Sequence, residues 1–281
     1  MQYPTKLFKC LLFVAANEPD DFHSPKKHGA TGIIVDLEDS IATQCRNDAR
    51  KLCSNYFIKK TDDNFFKILR INSIKTHDGL EDILWLNKLQ LKPDAVMLPK
   101  VESAAEVEVY NKLLPNLPLI ALMESPKSLE NAAEIAAHSA IVALGLGGAD
   151  LSLNMNINYP SWESMLWARG RIVQAATMWK KIALDLPYYL KLDDDSVLEV
   201  LEEAKRCKEM GFSGKLCIDL KHINPIMQIF TLTKEEINWA RRVIIAFEQS
   251  HGNALLLDGK AIDKPIAENA KRILEDNGIP E

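Results

Sequence analysis

The chain has 281 residues, 47 % of them apolar and 26 % charged, an ordinary globular balance with enough length for a sizeable buried core. Its formal charge of −5 provides no basic field for nucleic acid, and no stretch approaches the roughly 18 uninterrupted apolar residues of a membrane span. The five cysteines, Cys10, Cys45, Cys53, Cys207 and Cys217, form no CxxC pair. With an odd count they read as free thiols in a reducing, cytoplasmic setting. The six histidines lack the spacing of a zinc site.

The N-terminal stretch KLFKCLLFVAA faintly imitates a signal peptide, but no convincing cleavage site follows, and it reads as a first buried strand. Short apolar runs then recur along the chain, too short for helices and rich in Val, Ile and Leu. They are 10–16, 32–39, 66–72, 95–100, 118–124, 140–150, 182–188 and 214–219. Helical spacing fills the gaps, as in 128–140 and in 196–211, which ends at Gly211. Strands alternating with helices imply parallel pairing through right-handed crossovers. Eight such units predict a closed α/β barrel of the (β/α)₈ or TIM type. An open doubly wound sheet is the alternative, but no GxGxxG loop follows the first strand. The barrel is expected over 1–230. A C-terminal helical extension over 231–281 is expected to hold two helices, 233–250 and about 263–277, joined by NALLLDGKAID and packing on a neighbouring barrel. Thr233 and Glu236 read as a capping box for the first of them.

Strands buried in a barrel are apolar throughout. Here seven of the eight runs end in charged or polar residues: Asp36, Glu38 and Asp39; Arg70 and Asn72; Lys100; Glu124; Asp150; Asp185; Asp219. In a barrel these positions fall on one face, where active sites form. Glu124 and Asp150 end successive runs and suit one Mg²⁺, which prefers oxygen ligands and keeps waters for a substrate to displace. Each also fits a helix cap. Gly145, Gly147 and Gly148 precede Asp150, so backbone N–H groups there would receive a carboxylate, or the glycines form a packing turn. Arg70 fits a carboxylate or enolate oxygen, and equally a salt bridge to Glu38 or Asp39. Lys100 reads as a Schiff-base nucleophile or, with so many acidic neighbours, as an ion pair; the second is favoured. Asp263, before Lys264–Pro265 and an apolar-periodic segment, reads as an N-cap.

At these residues the chain resembles the citrate lyase β-subunit-like branch of the HpcH/HpaI aldolase family, which includes malyl-CoA and citramalyl-CoA lyases. The matching segments are LLFVAAN, VDLEDSIA with Ala49–Arg50, LRIN, MLPKVES, ALMES, LGLGGADL, ARGRIV, GFSGK and DGKAIDKPIAENA, in the family's order and across nearly the whole chain. The resemblance implies a carbon–carbon lyase acting on an acyl-CoA thioester, with coenzyme A thioester and oxo-acid as small-molecule partners, working as a homotrimer or hexamer. It implies Glu124 and Asp150 as Mg²⁺ ligands and Arg70 as the group that binds the oxo-acid and stabilises the enolate. Gly147 and Gly148 would grip the acid's carboxylate, while Glu38 and Asp39 would position Arg70 and the metal's waters. Asp263, from an adjacent subunit, would exchange the proton at the thioester's nascent methyl carbon. Two loops bordering the thioester depart from the family's pattern. Lys9, Cys10, Ala15 and Ala16 stand where the family carries Arg-Ser and Pro-Gly, and Asp219 and Leu220 stand where it carries His-Pro.

Overall fold

The computed structural model describes residues 8–58, 65–193 and 195–280. Eight strands close a parallel barrel in sequence order. They are β1 (Cys10–Ala15), β2 (Gly32–Asp36), β3 (Phe66–Arg70), β4 (Ala95–Leu98), β5 (Leu119–Met123), β6 (Ile141–Leu146), β7 (Ile182–Asp185) and β8 (Gly214–Cys217). Each lies inside one of the eight apolar runs; Lys6 and Leu7 of the N-terminal run lie outside the described residues. The helices between them are α1 (Ser24–Lys27), α2 (Arg46–Ser54), α3 (His77–Lys88), α4 (Ala104–Leu113), α5 (Pro126–Glu130), α6 (Ala132–Ala137), α7 (Gly148–Asn154), α8 (Trp162–Met178), α9 (Ser196–Met210) and α10 (Leu220–Phe230). This is the barrel the alternation predicted.

Two helical expectations needed correction. The segment 128–140 is not one helix: it breaks between α5 and α6 at Asn131, whose amide donates to the Glu102 carbonyl at 2.7 Å. The stretch after β8, where the sequence predicts no helix before 233, forms α10, with Pro225 inside it interrupting the pattern. By contrast α9 ends as expected, at Gly211, whose φ of 101° is open to glycine at no steric cost.

The strand period of two fixes which side chains enter the barrel. Leu11, Ile34, Ile68, Met97, Ile120, Leu122, Leu184 and Leu216 pack together as its interior. The alternate set, including Leu12, Val35, Leu69, Val96 and Ala121, belongs to the larger core that also holds buried residues of the helices. Asp36, Arg70 and Glu124 each lie two residues beyond an interior residue, so parity turns them inward. Asp185 and Lys215 lie one residue from Leu184 and Leu216, so parity turns them outward.

The chain divides into two compact units, Leu7–Phe230 and the segment from Thr231 onward. The second holds α11 (Lys234–Gln249), a hairpin of β9 (Leu255–Leu257) and β10 (Lys260–Ile262), and α12 (Lys264–Asp276). The Thr233–Glu236 capping box forms as read, with bonds of 2.7 and 3.1 Å. Asp258 and Gly259 turn the hairpin, both at positive φ, as a two-residue turn between twisted strands requires. Ala240, Val243, Ile244, Ile262, Ala267, Ala270 and Leu274 form this unit's own core.

Candidate active site at the C-terminal ends of the barrel strands

The register of β2 and β3 sets Asp36 directly opposite Arg70. Arg70 Nε and Nη2 donate to the two Asp36 carboxylate oxygens at 2.6 and 2.7 Å, a bidentate fork. The guanidinium also lies over the Phe13 ring, 4.9 Å from its centroid. Burial alone would raise the Asp36 carboxyl, but the Arg70 bonds and charge outweigh it and hold the group below its usual range. Arg70 itself is held firmly charged, its burial outweighed by Asp36, Glu38 and Glu124. The fork that the sequence reading offered to a substrate is therefore occupied by Asp36. Nη1 faces the acidic cluster instead, 3.0 Å from Glu38 and 3.7 Å from Asp39.

Lys100 follows β4 in a left-handed backbone conformation, φ 56°. Its N–H donates to Glu124 Oε2 at 2.8 Å, and its ammonium lies 2.7 Å from Glu38, 3.6 Å from Asp39 and 3.5 Å from Asp150. Partial burial would lower the ammonium's pKa, but the surrounding carboxylates raise it, so Lys100 is charged at neutral pH. That fits the ion pair and disfavours a Schiff-base amine, which must be neutral to attack. Glu124 is 3 % exposed, and burial, followed by the Glu38 charge, pushes its carboxyl up to about 8. Glu38 is raised too, by burial first, against the pull of Arg70 and Lys100.

The arrangement suits a hard divalent cation. Among the described residues the carboxylates Glu38, Asp39, Glu124 and Asp150 share the Lys100 ammonium and the one Arg70 nitrogen that Asp36 leaves, an excess of oxygen donors over cations. Glu38 Oε2 is buried without a hydrogen-bond partner, close to Arg70 but not aligned with it. Gly147 leaves room for Glu124, because a Cβ there would stand 2.2 Å from Glu124 Cγ and 2.6 Å from Oε1.

Other expected positions fall differently. The Gly147 N–H is spent on the Met123 carbonyl at 3.1 Å, so of the two glycines only Gly148, at the start of α7, keeps an N–H outside the helix ladder. Asp185 does not face the site. It is fully buried on the outer side of β7, bonded to Arg169 at 2.8 Å, to Lys215 at 2.6 Å and to the Cys207 thiol at 2.9 Å, with Glu203 completing the cluster. Asn72 is bonded to Leu37 and Asp82, and Arg50 holds Asp82 at 2.6 Å, which explains the Ala49–Arg50 motif as scaffold. Asp219 accepts the Lys221 N–H at 2.8 Å, at the entry to α10. Asp263 caps α12, accepting the Ile266 N–H at 3.1 Å.

Sequence reasoning missed one participant and gave no reading to one neighbour of the site. Asp36, noted only as a polar strand end, is the partner of Arg70, and its place opposite Arg70 on a neighbouring strand was the available signal. Tyr189, in the loop after β7, is a phenol pushed up to about 12 by burial, within reach of the charges of Arg70, Glu124, Lys215 and Asp150. Its position within a Tyr-Tyr pair gave no pattern to read.

Comparison with known proteins places nearly the whole chain among relatives of known activity. A (3S)-malyl-CoA thioesterase of Cereibacter sphaeroides (strain KD131) is 29 % identical over 98 % of this chain and 96 % of its own length. The citrate lyase subunit beta of Escherichia coli K12 is 28 % identical over 97 % of this chain and 94 % of its own. Among solved structures, the CitE protein of Mycobacterium tuberculosis, in complex with magnesium, acetoacetate and coenzyme A, superposes with a TM-score of 0.80 at 29 % identity, covering 98 % of this chain and 99 % of that one. The model of the HpcH/HpaI aldolase/citrate lyase family matches residues 9–219. With three-quarters of its length matched, the chain belongs to the HpcH/HpaI aldolase/citrate lyase family and is an enzyme of the lyase type.

Proposed function

We propose that the protein is a Mg²⁺-dependent carbon–carbon lyase that cleaves a β-hydroxyacyl thioester, such as malyl-CoA or citramalyl-CoA, into an oxo-acid and an acyl-CoA, or joins them in reverse. The observation that carries this reading is Glu124, a buried carboxylate beside Asp150 and Glu38 in a site with too few cations. The magnesium and coenzyme A in the CitE complex support it. Glu124 and Asp150 would hold the ion, which supplies Lewis-acid polarisation and a template for the oxo-acid.

The chain's own residues divide the remaining work. Asp36 locks Arg70 so that Nη1 points at the reacting region, placing a fixed positive charge where enolate charge grows. Glu38 and Asp39 would orient Arg70 and the ion's waters. Gly148, opening α7, would donate its N–H to the acid's carboxylate. As the C–C bond breaks, the hydroxyl proton passes to a carboxylate of the cluster or to water; a carboxylic acid must then protonate the enolate carbon, and Asp263 from a neighbouring subunit is the proposed donor. Its capping bond occupies one oxygen and leaves the other. That role requires an oligomer, proposed here as a homotrimer or hexamer. The cysteines, free in the structure, fit a cytoplasmic setting.

The thioesterase relative favours a second reading, in which thioester hydrolysis ends the reaction. A substrate panel tests the proposal: malyl-CoA, citramalyl-CoA and free 4-hydroxy-2-oxo acids, each with Mg²⁺ or a chelator. Mg²⁺-dependent release of an acyl-CoA and an oxo-acid supports it, and release of free coenzyme A with the intact hydroxy-acid supports the second reading. Turnover of the free acids alone would make the protein a family aldolase, and oxo-acid binding without turnover would make it a binding subunit.

A further inference from the structure

Lys100 makes more contacts to the acidic cluster than an ordinary ion pair needs. Its backbone N–H holds Glu124, while its ammonium reaches Glu38, Asp39 and Asp150. The left-handed turn at φ 56° lets one residue present both groups to the cluster. Few residues other than glycine adopt that conformation, and asparagine is the side chain that takes it most readily.

We infer that the Lys100 ammonium is a tethered counter-ion that competes with the divalent cation for Asp150, so that loading the metal means displacing Lys100 from that carboxylate. This rests on the reading of Glu124 and Asp150 as metal ligands. Three observations support competition over scaffolding. Glu124 is held by the Lys100 backbone N–H and not by its ammonium. Glu38 keeps a second cation, Arg70, at 3.0 Å. Asp150 is placed by the first turn of α7 and only leans on Lys100, at 3.5 Å. Removing the ammonium therefore leaves the carboxylates where they are and makes the site more negative. The side chain is also 42 % exposed on a flexible four-carbon stem, so it can swing aside towards water. A divalent charge and an ammonium sharing one carboxylate sit roughly 5 Å apart. Even at the dielectric constant of water, that repulsion corresponds to on the order of tenfold in affinity.

The test is calorimetric titration of the metal-free full chain with Mg²⁺, for wild type, Lys100→Gln, Lys100→Arg and Lys100→Asn, at low and high KCl. Thermal melting checks that each variant is folded. Lys100→Gln should bind Mg²⁺ on the order of tenfold more tightly, with the advantage shrinking as salt screens the charge. Lys100→Arg, which keeps the charge, should stay within about twofold of wild type. Lys100→Asn, which suits the left-handed backbone, should tighten like Gln and stands in if Gln does not fold. Equal or weaker binding in the folded neutral variants overturns the inference while leaving the metal site itself standing. No Mg²⁺ binding by the wild type would overturn both.

Discussion

Replacing Gly147 by Ala tests the site's construction with one methyl group. The added Cβ would stand 2.2 Å from Glu124 Cγ, far inside contact distance. Neither side yields easily. The Gly147 backbone is bonded to Met123 at 3.1 Å, and Glu124 is buried with its Oε2 bonded to the Lys100 N–H at 2.8 Å. Overpacking of this kind costs about 1–3 kcal/mol. At roughly 2–4 °C per kcal/mol for about 150–250 residues, Tm should fall by about 2–12 °C. Because relief comes by pushing Glu124 out of place, Mg²⁺ affinity should fall at least about tenfold, the effect of about 1.4 kcal/mol at the metal. Differential scanning calorimetry with and without Mg²⁺ reads both. Gly170 in α8 is the control: nothing lies within 4 Å of its would-be Cβ, so Gly170→Ala should stabilise by up to about 1 kcal/mol. A Gly147→Ala protein with unchanged Tm and unchanged Mg²⁺ affinity would refute the claim that Gly147 makes room for Glu124.

Further outcomes follow from the same geometry. Arg70→Lys keeps the charge but cannot form the two-point bond to Asp36, so kcat/KM should fall on the order of 10²–10³; near-normal kinetics would make Arg70 structural. Asp185→Asn leaves Lys215 and Arg169 short of a buried counter-charge and should cost about 3–5 kcal/mol in denaturant unfolding. Because the folded Asp185 pKa is depressed, its stabilisation is complete above the unfolded value and is lost only as pH falls through the folded one. The wild-type contribution should therefore be flat across neutral pH. Asp263→Ala should cost about 1 kcal/mol through the lost cap of α12. If it also acts across subunits, co-assembly of Asp263→Ala with Glu124→Gln chains should restore part of the activity that each lacks alone. Mixed oligomers without recovery would leave Asp263 a cap only.

Much of the fold was legible because barrel strands are short apolar runs with interrupting helices, a signal that survives without tertiary information. The segment 128–140 escaped because its helical pattern runs on through Asn131, where the chain breaks between α5 and α6 and the Asn131 amide bonds Glu102. Part of the site was legible for the same reason: Arg70 ends a strand, and Glu38, Lys100 and Glu124 follow one within two residues, while Asp150, read as a strand end, lies in the first turn of α7. What the one-dimensional pattern could not resolve was the face of the strand. Asp36 and Asp185 look alike as strand-end aspartates, yet Asp36 follows Ile34 by two residues and turns inward, while Asp185 follows Leu184 by one and turns out into an ion cluster. Nor could it foresee that the Gly147 N–H is spent on Met123, or that Lys100 uses its backbone as well as its ammonium.

The central claim, carbon–carbon cleavage at a carboxylate-held Mg²⁺, is tested most directly by mass spectrometry of the products from citramalyl-CoA and malyl-CoA. Wild type and Glu124→Gln should be compared, with Mg²⁺ and with chelator. The account requires acetyl-CoA and the matching oxo-acid from the wild type with Mg²⁺, and neither product from Glu124→Gln or in chelator. Free coenzyme A and intact hydroxy-diacid without any acetyl-CoA, or acetyl-CoA released equally by Glu124→Gln, would contradict it.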